Sequence, residues 1–222
     1  MSNGESNYKV SRRILIPAAG FGSRVGHPMA KEMLVRPDGV RFIDHALLLA
    51  SLCQATPHVI SRAEKKNLNQ HLKSLGVSIQ LVEPTQEWPE SLLKSKEYWS
   101  DYNLVILPDT DFGPVEILSE MFVTLENKSD LVAARFSVED FRTWGVMGYD
   151  RRDPQLWWGC EKPLSSLGRE WDLQAWGVFG FRKEFGEKIL KTLLESTLSH
   201  EWKTLCLNYH FFQLDYFRDL TR

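Results

Sequence analysis

The sequence predicts an α/β domain with a mostly parallel central sheet, helices on both faces and a small antiparallel insertion. Three observations carry this. In the first 136 residues, short apolar runs alternate with helical segments of about ten to fourteen residues, the rhythm of right-handed β-α-β units. A turn of small residues with two glycines follows the first apolar run. After residue 136 the helices drop out, and apolar runs follow one another through turns.

The elements follow in order. "RILIPA" (13–18) reads as a buried strand and "FIDHALLLASLC" (42–53) carries apolar residues at helical spacing. "PHVIS" (57–61) is a short strand. "AEKKNLNQHLKSLG" (63–76) is a surface helix closed by Gly76, and "VSIQLV" (77–82) is a strand. "ESLLKSKEYW" (90–99) reads as a helix and "NLVILP" (103–108) as a strand. "PVEILSEMFVTLEN" (114–127) is a helix with Pro114 near its start, and "DLVAARF" (130–136) is a strand. "GVMGYD" (145–150), "LWWGCEKP" (156–163) and "LQAWGVFGFR" (173–182) are strands joined by turns. "KEFGEKILKTLLES" (183–196) returns to helix. "HEWKTLCLNYH" (200–210) is also expected to be helical, and "FFQLDYFRDL" (211–220) to be a last strand. No internal repeat or linker interrupts residues 12–222, which are read as one domain, with halves 12–136 and 137–222; residues 1–11 are expected to be a flexible tail.

Composition narrows the function. At 222 residues the chain can bury one sizeable core, and 43% hydrophobic with 25% charged residues fits a globular domain. A net charge of −2 argues against nucleic acid as a partner. No run approaches the ~20 apolar residues that span a membrane. The polar start "MSNGESNYKVSRR" lacks an apolar signal region, so a cytoplasmic location is expected. Cys53, Cys160 and Cys206 are too scattered for a disulfide framework or a metal clip, and Cys53 is expected in the core. Trp144, Trp157, Trp158 and Trp176 cluster in the second half. They fill the core or wall a ligand pocket.

In open α/β sheets ligands gather at the carboxyl ends of strands. There, in "AAGFGSRVGHPMAK", Gly20 and Gly22 let backbone N–H groups form an anion nest. Arg24 adds a forked donor and Lys31 a mobile point charge, a set suited to polyphosphate. The dinucleotide fingerprint fails because Gly26 comes one residue late and Pro28 interrupts any helix; the Walker loop fails for want of G-K-[ST]. The alternative is a glycine turn with two solvated cations. "NLVILPDTDF" ends in two carboxylates, Asp109 and Asp111, on the same sheet edge. Beside phosphates they need a hard cation between them; otherwise the segment is an Asp-rich turn capping the next helix.

These segments resemble the sugar-1-phosphate nucleotidyltransferase family, most of all the UTP–glucose-1-phosphate uridylyltransferases and glucose-1-phosphate thymidylyltransferases. "PAAGFGSRVGHPMAKEML" is similar to the signature A-[AG]-G-x-G-[ST]-R, spacer, K. The spacer is shorter than in the uridylyltransferases, and Ala30 replaces the usual Pro. The resemblance implies a Rossmann-like nucleotide-diphospho-sugar transferase fold. Its residues 12–136 would be the nucleotide-binding half and 137–222 the sugar-phosphate-binding half. It also implies a nucleoside triphosphate and a sugar 1-phosphate as partners and Mg²⁺ as cofactor; a monomer or small homo-oligomer is expected.

Residue by residue, the resemblance assigns Arg24, Lys31 and Asp109 to catalysis, and Ala19, Gly20, Gly22 and Ser23 to nucleotide binding. "QEWPESL" is similar to Q-x-x-P-x-G-L, which gives Gln86 and Ser91 to the base, with Ser91 in place of Gly. "FRTWGVMGYD", "GCEKP" and "AWGVFGF" resemble the sugar-side segments and assign Gly145, Glu161, Lys162, Trp176 and Gly177, with Trp176 in place of Thr. Asp109 is the implied first metal ligand. The closing W-x-D-[IV]-G-T is matched in "DYFRDLTR" by Asp219, which lacks the glycine; Asp111 and Asp215 are the fallback ligands. Two further readings compete: a cytidylyltransferase for a non-sugar phosphate such as phosphocholine or an alditol phosphate, and an inactive nucleotide-sugar-binding regulatory homologue.

Overall fold

The computed structural model describes residues 11–20, 30–85, 87–164 and 171–221. Strands β1 (Arg12–Pro17), β2 (Thr56–Ser61), β3 (Ser78–Leu81) and β4 (Tyr102–Ile106) form a parallel block in the order β3-β2-β1-β4. After β5 (Thr110–Gly113) and β6 (Leu131–Phe136) come β7 (Gly145–Asp150), β8 (Asp153–Glu161) and β9 (Trp171–Arg182), an antiparallel trio in the order β8-β7-β9. The twelve-residue β9 joins the two regions. Its first part pairs antiparallel with β7, and its second part pairs with both β4 and β6. The expected parallel sheet with an antiparallel addition is therefore what forms.

Alternation along the strands explains the layering. Ile14 and Ile16 of β1, with Leu104, Ile106, Val132 and Ala134, point to one face. There they meet α1 (Phe42–Leu52), α2 (Lys66–Ser74) and α4 (Ile117–Asn127). Leu15, Val105, Leu131, Ala133, Phe179 and Phe181 point to the other, against α3 (Trp88–Lys94) and α5 (Lys183–Ser199). Each such Leu, Ile or Phe contributes about 1.5–3 kcal/mol when fully buried. Two-sided burial is why the strands read as continuous apolar runs rather than alternating ones. Cys53 lies in this core.

Several boundaries differ from expectation. The segment 90–99 is α3 followed by a short 3-10 turn, Lys96–Tyr98. Pro114 lies outside α4, which begins at Ile117, and the residues before it pair as β5. The segment 200–210 is not helical. The helix stops at Ser199, and His200 takes a left-handed backbone with φ 55°. The chain then runs as β10 (Lys203–Cys206) along the edge of β8 and as β11 (Tyr209–Gln213) parallel to β6. Open sheet edges supply backbone partners that outweigh a short segment's helical spacing. The final segment divides as well, since β12 (Tyr216–Asp219) turns back to pair antiparallel with β5 in a separate two-stranded ribbon.

No helix among the described residues is long and apolar enough to cross a membrane.

Candidate active site

A cleft of about 380 Å³ opens at the carboxyl ends of β1 and β4. Its walls include Ala19, Gly20, Lys31, Ser91, Asp109, Gly145, Glu161, Lys162, Trp176 and Asp219. Of the residues singled out by sequence, Gly22, Ser23, Arg24 and Gln86 lie outside the described residues.

At one end, a 3-10 turn, Lys31–Met33, presents Lys31, whose Nζ lies 2.5 Å from Asp109 Oδ2. The turn is anchored from behind. Glu32 is fully buried, and both its oxygens accept from Lys65 Nζ, at 2.8 and 2.9 Å. Burial lowers the Lys65 pKa while Glu32 raises it. Sequence reasoning passed over both residues. A charged residue next to Lys31 looks like surface, and the 33-residue separation of the pair leaves no local trace.

The β5–β12 ribbon decides which acids meet. Asp219 lies opposite Thr110, and Leu220 N donates to the Asp109 carbonyl at 2.9 Å. Thr221 Oγ1 lies 2.7 Å from Asp219 Oδ1 and 3.5 Å from Asp109 Oδ2, so one hydroxyl touches both carboxylates. The fallback acids are placed elsewhere. Asp111 pairs with Arg36 at 3.3 Å, and Asp215 is exposed; neither lines the cleft. Two neighbouring carboxylates form a hard-oxygen set that fits Mg²⁺, which takes one or two protein carboxylates and completes its octahedron with phosphate and water.

The other end is built on β7 and β8. Gly145 pairs with Glu161 across the strands. A Cβ on Gly145 would fall 2.2 Å from Glu161 Oε1 and 2.1 Å from Trp176 Nε1, so only glycine lets these two groups meet. They do meet: Trp176 Nε1 donates to Glu161 Oε1 at 3.0 Å. Burial pushes the Glu161 carboxyl up to about 7; hydrogen bonds from Trp176 and Trp88 and the charge of Lys162 pull it down, and Glu87 pushes it up. The next residue, Lys162, is exposed and adopts φ 53°. Its N–H donates to the Trp144 carbonyl at 2.9 Å, which fixes the turn before Pro163. A left-handed backbone at a non-glycine residue costs on the order of 1–3 kcal/mol and gathers at ligand clamps.

Two expected residues have different surroundings from those anticipated. Ser91 lines the cleft, but its hydroxyl donates back to the Trp88 carbonyl at 2.7 Å, within its own helix. Gly177 does not line it. A Cβ there would meet Phe217 at 2.5 Å and Leu214 at 3.0 Å, so Gly177 provides room for the terminal ribbon to dock on β9. The tryptophans divide. Trp144 and Trp176 line the cleft, Trp157 is fully buried in the core, and Trp158 packs edge-on against Trp171. Thr85, Glu87, Trp88, Thr143 and Phe217 also line the cleft and were not anticipated. Glu87 and Trp88 sit in the "QEWPES" segment as the spacer between matched positions, and spacer residues carry no local signal of facing inward.

No protein-family model and no curated protein matches the sequence. Solved structures match its fold. One is a Bacillus anthracis protein assigned as a glucose-1-phosphate thymidylyltransferase, solved with sucrose. It aligns with TM-score 0.69 and 19% identity over 95% of this chain and 90% of its own. Another is the mannose-1-phosphate geranyltransferase of Thermus thermophilus, with TM-score 0.64 and 15% identity over 96% of this chain and 77% of its own. At these identities the likeness establishes a shared fold across nearly the whole chain.

Proposed function

We propose that this chain is a nucleotidyltransferase that moves a nucleoside monophosphate from a pyrimidine nucleoside triphosphate (UTP, dTTP or CTP) to a sugar 1-phosphate, releasing pyrophosphate. One observation carries the reading. A single cleft gathers Lys31 and the Asp109–Asp219 pair at one end and Glu161 and Lys162 at the other. The two neighbours of the same fold are both named for a hexose 1-phosphate, which supports this acceptor class.

In such a transfer an oxygen of the acceptor phosphate attacks the α-phosphorus in line. The new O–P bond forms as the bond to the bridging oxygen of the β-phosphate breaks, and pyrophosphate leaves with that electron pair. The attacking group is already an anion, so no protein nucleophile is needed, and catalysis rests on placement and charge. Lys31 exchanges Asp109 for the triphosphate and offsets charge near the reacting phosphorus. Lys162 receives the acceptor phosphate and Glu161 accepts its hydroxyls. Asp109 and Asp219 would hold Mg²⁺, which supplies charge neutralisation between the two anionic substrates.

The test is pyrophosphate release across UTP, dTTP, CTP, ATP and GTP with a panel of phosphate monoesters. Asp109→Ala keeps the backbone carbonyl that receives Leu220 N–H. It is expected to cut turnover by at least ~100-fold, in line with removing one oriented transition-state contact. Near-normal release by that variant would sink the assignment.

A further inference from the structure

We propose that Thr221 is a positioning residue for the cation site: its hydroxyl fixes the Asp219 carboxylate beside Asp109, so that the two acids hold a divalent cation as a pair. This rests on the transfer reading above, in which Asp109 and Asp219 hold Mg²⁺. The residue is not one that the family resemblance supplies, because Thr221 stands where the closing motif W-x-D-[IV]-G-T carries its glycine.

The first reason is how the Asp219 carboxylate is held. Its Oδ1 accepts from the Thr221 backbone N–H at 2.9 Å and from the Thr221 hydroxyl at 2.7 Å. A glycine at this position supplies the first bond and not the second. Two donors on one oxygen fix the rotation of a carboxylate that a single donor leaves able to turn. The same hydroxyl oxygen lies 3.5 Å from Asp109 Oδ2. A threonine hydroxyl carries one proton and two lone pairs, and the shorter contact takes the proton. Asp109 Oδ2 therefore faces a lone pair of the hydroxyl, an arrangement that favours positive charge beside both oxygens. Lys31 Nζ, 2.5 Å from that Asp109 oxygen, supplies such charge here. A divalent cation would supply it once the triphosphate draws Lys31 away.

The second reason is that the fold places β12 without this hydroxyl. The strand pairs with β5, and Phe217 stacks on Phe136 with ring centroids 4.2 Å apart. The Asp215 N–H donates to the Gly113 carbonyl and the Leu220 N–H to the Asp109 carbonyl, each at 2.9 Å. None of these contacts involves the Thr221 side chain. Both contacts of its hydroxyl are with carboxylates that line the cleft. Groups that hydrogen-bond a metal ligand orient it, and losing one typically costs about 10–100-fold in metal affinity.

The experiment titrates Mn²⁺, whose free and bound forms are told apart by electron paramagnetic resonance, in place of Mg²⁺. The proteins are the wild type, Thr221→Val and Thr221→Ser, with Asp219→Asn as the reference for a lost ligand. Valine removes the hydroxyl and keeps the shape and the backbone N–H; serine returns the hydroxyl. Thr221→Val is expected to weaken Mn²⁺ binding by about 10–100-fold, and Thr221→Ser to keep most of the wild-type affinity. In turnover, Thr221→Val should raise the Mg²⁺ concentration for half-maximal pyrophosphate release by a similar factor. Its kcat at saturating Mg²⁺ and its KM for the acceptor should stay near wild type. A merely structural threonine would lower the urea midpoint and leave Mn²⁺ affinity unchanged. Equal Mn²⁺ affinity in the wild type and Thr221→Val would overturn the proposal, while a loss in Asp219→Asn alone would still uphold the cation site. Absence of saturable Mn²⁺ binding by the wild type, or binding indifferent to Asp219→Asn, would overturn both the site and the role of Thr221. Weakened binding in Thr221→Val, with no pyrophosphate release by the wild type on any acceptor, would uphold the positioning role and reject the transfer reading.

Discussion

Glu161→Gln isolates the energetic cost of the carboxyl at the heart of the cleft. Glu161 is 5% exposed and burial raises its pKa from 4.5 to about 7. Between those values the folded protein keeps a proton that the unfolded chain has released. Stability therefore falls as pH rises from about 4.5 to about 7, and the loss is complete above that. At about 1.36 kcal/mol per pKa unit the loss amounts to about 3 kcal/mol, of order 6–12 °C in Tm for a chain of this length. Glutamine keeps the oxygen that accepts from Trp176 Nε1 and carries no proton to lose. Urea unfolding of both proteins at pH 4.5, 6 and 8 reads the effect. The variant should gain on the wild type steadily, ending about 3 kcal/mol ahead of its pH 4.5 position at pH 8. Parallel curves for the two proteins would show that the carboxyl titrates alike in the folded and unfolded states, and the account of its burial would be wrong.

Three further outcomes follow from the geometry. Gly145→Ala places a methyl group 2.1–2.2 Å from Trp176 Nε1 and Glu161 Oε1; it should cost about 1–3 kcal/mol of stability and raise KM for the acceptor far more than KM for the triphosphate, read by steady-state kinetics. Lys65→Met leaves Glu32 buried without its partner and should cost about 3–5 kcal/mol in chemical denaturation. Adding Glu32→Gln should recover much of that loss, and additivity of the two changes would contradict the pairing. Chelation of divalent cations should abolish pyrophosphate release and Mg²⁺ should restore it, whereas Asp219→Asn should weaken the response to Mg²⁺ and Asp215→Asn should not, because Asp215 is exposed outside the cleft.

The sequence by itself determined the layered α/β domain, because strands buried on both faces must be apolar throughout and the helices between them must carry one apolar stripe. Its motifs, and the family resemblance they carry, singled out Lys31, Asp109, Glu161 and Lys162, and all four line the cleft. Tertiary structure decided the rest. Residues 200–210 have helical spacing, yet they become strands because β8 and β6 offer open edges. Asp219 rather than Asp215 or Asp111 joins Asp109 because the β5–β12 register sets which residues lie opposite one another, and a shift of one residue would turn a different side chain inward. Trp88 and Glu87 face the cleft because α3 packs on the same sheet face as Trp176. These choices depend on partners tens to more than a hundred residues away. Local pattern carries hydrophobic periodicity, which fixes elements and faces. It does not carry the pairing of distant edges, which fixes the particular carboxylates and aromatic rings that end up sharing one cleft.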